Sequence, residues 1–269
     1  MIAILDGYNL MHRARFGMKQ GEDHIVYSFF RSLRPLIEEI SPVKTYVVLE
    51  GSPKRRLALD SEYKANRKID PDDPRAIEMK EFRRQKAIIL SLLEHMPVEM
   101  ILHPDHECDD VISHLVSVKH ADEDKIVVSS DTDFIQLFSL NGRVKVYNPV
   151  KKQYITPPDY NYVIWKALRG DKSDNIPGMP GIGDVIAERL TRDPDALKAW
   201  VAENPSLAPH LSRNLDLVGF EDINPDDGLM RSVVGTPDWN FLYEKFKELG
   251  FWSIINQKSW SKYVKTFGA

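Results

Sequence analysis

Four short apolar runs, each followed closely by acidic residues, constrain this chain more than any other feature in it. Ile2-Ala3-Ile4-Leu5, Tyr46-Val47-Val48-Leu49, Val98-Glu99-Met100-Ile101-Leu102 and Ile126-Val127-Val128 have the length and composition of buried strands. Between them apolar residues recur at helical spacing. Val26, Phe29, Phe30, Leu33, Ile37 and Ile40 mark one helix, which Pro35 should kink. Ala87, Leu90 and Leu93 belong to a second, and Val111, Leu115 and Val118 to a third. Strands alternating with helices predict an α/β domain on a mainly parallel sheet.

In such sheets ligands bind in the crevice beyond the carboxyl ends of the strands. Here those ends are acidic. Asp6 follows the first run and Glu50 the second; Glu107, Asp109 and Asp110 follow the third, and Asp131 and Asp133 the fourth. Two carboxylates about 4 Å apart repel by roughly 4 kcal/mol at an effective dielectric near 20. A converging group must therefore protonate, gain cationic partners or bind metal. Hard oxygen donors favour Mg²⁺ or Mn²⁺ over zinc. His106 and Cys108 interleave with the acids, but next-door residues ordinarily point elsewhere. Glu107 and Asp110 have helix-face spacing, which Asp171 and Asp174 repeat outside the sheet region. Taken singly, each pair reads as a helix cap or solvated turn. Jointly they require more than one cation, and paired metal ions are a recurring solution for phosphodiester cleavage.

The rest of the chain is compatible with that chemistry. Its net charge of −4 is not that of a typical nucleic-acid binder, yet the basic residues are segregated. They gather at Lys54, Arg55, Arg56, Lys64, Arg67 and Lys68, and again at Arg83, Arg84 and Lys86. Lys64 and Arg67 are placed so that one helical turn would aim both at a single phosphate. The stretch from Ser52 to about Arg75 carries no strand signal and is expected to be a mobile surface excursion. After Pro157-Pro158 the chain reads as helical, which puts a soft boundary near Thr156. The turn Asn175-Ile176-Pro177-Gly178-Met179-Pro180-Gly181-Ile182-Gly183 precedes a helix whose first amides suit a DNA phosphate. Phe241, Phe246, Phe251, Trp252 and Trp260 read mainly as packing against the first domain. A lone cysteine excludes an internal disulfide and fits a reducing cytoplasm. No apolar run has membrane-spanning length, and Asp6 interrupts the N-terminal one too early for a secretory signal.

In order, Glu-x-Asp-Asp, Asp-x-Asp and Gly-Asp-x-x-Asp-Asn-Ile-Pro-Gly resemble the 5′ nuclease superfamily of flap endonucleases, phage 5′→3′ exonucleases and polymerase I 5′ nuclease domains. The resemblance implies a PIN-like nuclease unit over 1–156 with a helical arch near 52–86. It also implies a helical DNA-binding region over 157–269 with a helix-three-turn-helix element near 171–190. By position, Asp6, Glu107, Asp109 and Asp110 look like ligands of one Mg²⁺ or its waters. Asp131, Asp133, Asp171 and Asp174 look like those of a second, with Mn²⁺ able to substitute. Lys64 and Arg67 resemble the arch-base pair at the scissile phosphate, and Arg13 the basic residue after the first aspartate motif. Tyr63, Gly178, Gly181, Ile182 and Gly183 would contact DNA, and carbonyls of Met179, Pro180 and Ile182 would hold K⁺.

Three positions depart from the pattern: Glu50 stands for an aspartate, Val185 for a frequent lysine, and His12 for an aromatic that stacks on a base. The implied activity is hydrolysis of DNA at 5′ flaps or 5′ ends, with RNA–DNA hybrids as a further substrate, in the cytoplasm of a bacterial or phage-infected cell. No membrane is involved, and a sliding-clamp or single-strand-binding partner leaves no readable motif. A catalytically silent DNA-binding protein and a PIN-type single-strand ribonuclease are the alternatives.

Overall fold

The computed structural model describes residues 1–18 and 21–268. In chain order its first half comprises β1 (Ile2–Asp6), α1 (Gly7–Ala14), α2 (His24–Ile40), β2 (Lys44–Val48), α3 (Lys54–Leu59), α4 (Arg75–Leu93), β3 (Glu99–Leu102) and α5 (Cys108–His114). Next come β4 (Lys125–Val128), α6 (Leu137–Leu140), β5 (Val144–Asn148), β6 (Gln153–Tyr154), α7 (Tyr162–Arg169), α8 (Asp184–Arg192), α9 (Pro194–Glu203) and α10 (Ala208–Val218). The chain finishes with β7 (Arg231–Val234), α11 (Trp239–Glu248), α12 (Trp252–Ile255) and α13 (Gln257–Gly268).

The strands form one seven-stranded sheet in the order β6-β5-β4-β1-β2-β3-β7. The five inner strands run parallel, and both edge strands are antiparallel. The chain moves from β1 outward to β3, then returns to place β4 on the other side of β1. That reversal opens the crevice where open α/β sheets bind ligands, and Asp6 ends β1 at its lip.

Side-chain alternation sends Ala3 and Leu5 to one face and Ile2 and Ile4 to the other. The first face packs against α1, α2, α4 and the last three helices, and the second against α5 and α6. Because the central strands are covered on both faces, they read in sequence as continuous apolar runs. A separate core of Ala167, Leu168, Met179, Ala187, Leu190 and Leu211 joins α7, α8 and α10.

Helix α2 carries Pro35 inside it and runs on to Ile40, as its apolar spacing predicts. Three features differ from expectation. The excursion after β2 is not a free surface loop: α3 docks on α10, and both Arg56 and Tyr63 are buried. Strands β5, β6 and β7 carry no continuous apolar run: Lys145 and Asn148 interrupt the mostly buried β5, β6 is two exposed residues, and all four residues of β7 are exposed. The span 157–269 is also not one helical body, because β7 pairs with β3 and α11 to α13 complete the first core. Phe241, Phe246, Phe251 and Trp260 of the aromatic tail pack there as expected, but Trp252 is 61% exposed because the short helix α12 turns Ile254 and Ile255 inward instead. Phe246 is fully buried, with ring centroids 5.2 Å from Phe30 and 5.7 Å from Phe251.

Phe246→Ala should therefore cost about 3–5 kcal/mol of stability, the usual range for deleting a buried aromatic. Urea unfolding followed by circular dichroism measures it. A loss under about 1 kcal/mol would mean that the tail is a detachable peptide rather than core.

Candidate metal and nucleic-acid site

Eight carboxylates line one cleft of about 920 Å³ at the carboxyl edge of the sheet: Asp6, Glu50, Glu107, Asp109, Asp131, Asp133, Asp171 and Asp174. Each is held by its element. Asp6 caps α1, its Oδ1 accepting from Asn9 N at 2.9 Å, while its Oδ2 accepts from Ser129 Oγ at 2.7 Å. Ser129 Oγ also accepts from Asp131 N at 3.0 Å, and Asp131 Oδ1 from Asp133 N at 2.9 Å. Asp171 and Asp174 belong to the tight turn closed by a backbone bridge between Asp171 and Ile176.

Three groups of donor atoms lie within 4.8 Å of one another in this cleft: Asp6–Cys108–Asp109, Asp109–Asp131–Asp133 and Asp133–Asp171–Asp174. They share Asp109 and Asp133, so they form a continuous acidic track.

Burial raises the carboxyl of Asp6 to about 6 and that of Glu50 to about 7, in both cases with a push from neighbouring carboxylates. Burial, then the charges of Asp131, Asp6 and Glu50, lifts Asp109 well above the ordinary range. Asp133 rises to about 6 through burial, against the pull of Lys166. Asp171 instead falls to about 2, because hydrogen bonds from Lys166 and Ser173 outweigh its burial. Acids whose pKa is pushed up by burial and mutual repulsion, with oxygen donors at this spacing, fit hard divalent ions.

The segment after α3 closes over the cleft. Lys64 pairs with Glu107, and Arg67 pairs with Asp174. Lys64 N donates to Asp174 O at 2.9 Å, and Asn175 Nδ2 donates to Glu62 O at 2.7 Å. Lys64 adopts φ +55 to make this contact, an uncommon conformation for a residue with a side chain. Beneath it Tyr63 donates its hydroxyl to Glu107 at 2.9 Å. On the opposite wall His12 lies between Tyr8 and Phe82, with centroids 4.9 and 4.7 Å away. Burial and nearby Arg15 depress its pKa, so it presents a neutral ring to the cleft.

Two sequence-derived site residues lie elsewhere. Arg13 is turned by the rotation of α1 toward α2, where it lines a groove with Leu10, Arg31 and Tyr147. Asp110 is fully buried below the cleft, where Arg56 grips both its oxygens at 2.8 and 2.7 Å. Burial opposes its ionisation, but hydrogen bonds from His106 and Arg56 prevail and hold it at about 2. Cys108 was expected to point away; instead its Sγ lies 3.6 Å from Asp6 Oδ1.

Two important cations escaped sequence reasoning. Arg56 also donates to Glu107 at 2.8 Å and to the carbonyls of Leu217 and Gly219, tying α3, α5 and the end of α10 together. Lys166 pairs with Asp133 and Asp171. The only available signals were the basic run around Arg56 and the position of Lys166 shortly before Asp171.

In the glycine-rich turn, Gly178 is a close-packing position: a Cβ there would meet Arg169 O at 2.1 Å. Gly181 adopts φ +75 in open space, and Gly183 precedes α8 without a side-chain cap. Val185 stands 81% exposed on the first turn of α8, an apolar contact where a cation was expected. Met179 and Ile182 face the core of this region, with Ile182 N donating to Met179 O at 3.0 Å.

Residues 1–164 match the family model of the 5′-3′ exonuclease N-terminal resolvase-like domain. The thermostable DNA polymerase I of Thermus filiformis is 27% identical over 95% of this chain, and that of a Thermus thermophilus strain is 30% identical over 82%. The chain spans only 33% and 26% of those polymerases. Among solved structures, T5 5′-exonuclease with bound zinc superposes with a TM-score of 0.69 at 19% identity, over 98% of this chain and 97% of that one. Human GEN1 in complex with Holliday junction DNA superposes with a TM-score of 0.58 at 16% identity, over 98% of this chain and 71% of that one. At these identities the structural likeness establishes the fold.

Two measurements test the site. Asp6, Glu50 and Asp133 have folded pKa values above their ordinary ones, so without divalent cation their contribution to stability is full below about pH 4. It is lost as pH rises through 6 to 7. Saturating Mg²⁺ should therefore raise Tm more at pH 8 than at pH 5.5, because protons no longer compete. Equal increments at both pH values in differential scanning calorimetry would contradict the cation assignment. Separately, Arg56→Ala leaves Glu107 and Asp110 buried without their partner and should destabilise the fold by about 3–5 kcal/mol in urea.

Proposed function

The chain belongs to the 5′-3′ exonuclease family, and from that premise we propose that it is a metal-dependent 5′ nuclease acting on DNA at 5′ flaps or 5′ ends. The observation that carries this reading is the track of overlapping donor groups in one cleft, with Lys64 and Arg67 closing over it. Asp6, Glu50, Glu107, Asp109 and Asp131 would hold one Mg²⁺ or its water ligands, and Asp133, Asp171 and Asp174 a second; Mn²⁺ would serve in their place. Bound ions supply a more acidic water and compensation for charge on the attacking and leaving oxygens.

The chain's own groups do the rest. Lys64 and Arg67 bring positive charge to the mouth of the cleft, where a phosphate entering between them gains electrostatic stabilisation. Tyr8 and the neutral His12 offer ring surfaces beside it, suited to an unpaired base. The uncapped start of α8 offers backbone amides to a duplex phosphate, which gives grip without base readout. Gly181, Ile182 and Gly183 shape that turn, and carbonyls of Met179, Pro180 and Ile182 would take K⁺. The solved relatives support the reading: T5 5′-exonuclease with zinc and human GEN1 with junction DNA share this fold.

A labelled 5′-flap duplex incubated with Mg²⁺ should be cut near the junction, and EDTA should abolish the cutting. Asp109→Asn should abolish it while leaving the fold intact, and Lys64→Ala should slow it by about 10²–10³-fold. Cleavage that survives chelation would refute the metal-dependent reading. Binding without cleavage, even in Mn²⁺, would leave a silent DNA-binding protein, and preferential cutting of single-stranded RNA would mark a ribonuclease.

A further inference from the structure

The two ends of the acidic track are neutralised very differently. Lys166 Nζ donates to both oxygens of Asp133, Oδ2 at 2.6 Å, and lies 2.6 Å from Asp171 Oδ2. Those contacts use the three donors an ammonium has, and its side chain is only 8% exposed. Tyr162, one turn earlier on α7, donates to Asp133 Oδ1 at 3.2 Å, so α7 grips this carboxylate twice. Asp174, the third member, is paired with Arg67. By contrast, among the described residues Asp6, Glu50, Asp109 and Asp131 form no ion pair with any lysine or arginine, whereas Lys64, Arg67 and Lys166 all pair with other acids of the cleft.

An ammonium seated 2.6 Å from an oxygen of Asp133 and 2.6 Å from one of Asp171 occupies the place between them that a divalent ion would take, since Mg²⁺ sits about 2.0–2.1 Å from each ligand. Asp133 also belongs to the neighbouring donor group with Asp109 and Asp131. That inner position keeps Asp6, Asp109 and Asp131 available while the ammonium holds Asp133, whereas the outer position has no acid that is not already paired.

We propose that Lys166 is a positioning residue that fills the Asp133–Asp171–Asp174 group with its own ammonium, so that the cleft loads divalent cations in a fixed order. The Asp6–Asp109–Asp131 side loads first. The outer group loads only when the ammonium is displaced. This rests on the metal-dependent reading above and adds to it a residue that sets the affinity of the outer position and touches the inner one only through the shared Asp133.

Isothermal titration of the full chain with Mn²⁺ tests it. Wild type should show one tight and one weak class. Lys166→Met should tighten the weak class by about tenfold or more and leave the tight class within about twofold. Lys166→Arg, which keeps the charge, should retain the weak class. A second measurement needs no variant to fold: acetylation of wild type mapped by mass spectrometry at increasing Mn²⁺. Lys166 should stay unreactive while the tight class fills and become reactive as the weak class fills. An unchanged weak class in Lys166→Met, or Lys166 reactivity indifferent to Mn²⁺, overturns the proposal and leaves the nuclease reading standing. Absence of any Mn²⁺ binding overturns both.

Discussion

Mutual repulsion among carboxylates is the constraint around which this molecule is arranged. Eight of them share one cleft at the end of a parallel sheet, where the dielectric is lower than in water. The fold answers in two ways. Asp6, Glu50 and Asp109 are pushed toward their protonated forms, while Glu107, Asp133, Asp171 and Asp174 are matched by Lys64, Arg67 and Lys166. Asp110 is withdrawn altogether and locked to Arg56. Asp6, Glu50 and Asp109 take that push with no basic partner, whereas Asp133 takes it although Lys166 holds it.

That arrangement links stability to chemistry. Arg56 joins α3, α5 and the end of α10 through carboxylates and carbonyls in the same buried place. It positions Glu107 at the cleft while anchoring the segment that carries Lys64. The cover, the acidic floor and the helical region are therefore joined by shared contacts in addition to their separate cores.

Much of this was legible in the sequence because it follows from local rules. The central strands are covered on both faces and so appear as apolar runs, and their terminal acids mark the crevice by position alone. Lys64, Arg67, Asp171 and Asp174 were legible from spacing and from the family resemblance. The unread parts are those whose meaning is supplied from far away. Nothing local distinguishes buried Arg56 from its exposed neighbour Arg55; its partners come from residues 107, 110, 217 and 219. Arg13 was misplaced because motif order gives a position along α1 but not its rotation. Strand β7 was invisible because an exposed edge strand needs no apolar pattern, only a neighbour to pair with.

That edge strand has a kinetic consequence. Met100 pairs with Val233, so one border of the sheet is supplied by a segment more than a hundred residues downstream. Contacts of such long sequence separation form late, because loop closure must precede any gain from pairing. A chain emerging from the ribosome would hold β3 as an open border, with its aromatic cover still unsynthesised. Synthesis of the acids of the cleft thus runs ahead of the segments that seal the sheet carrying them.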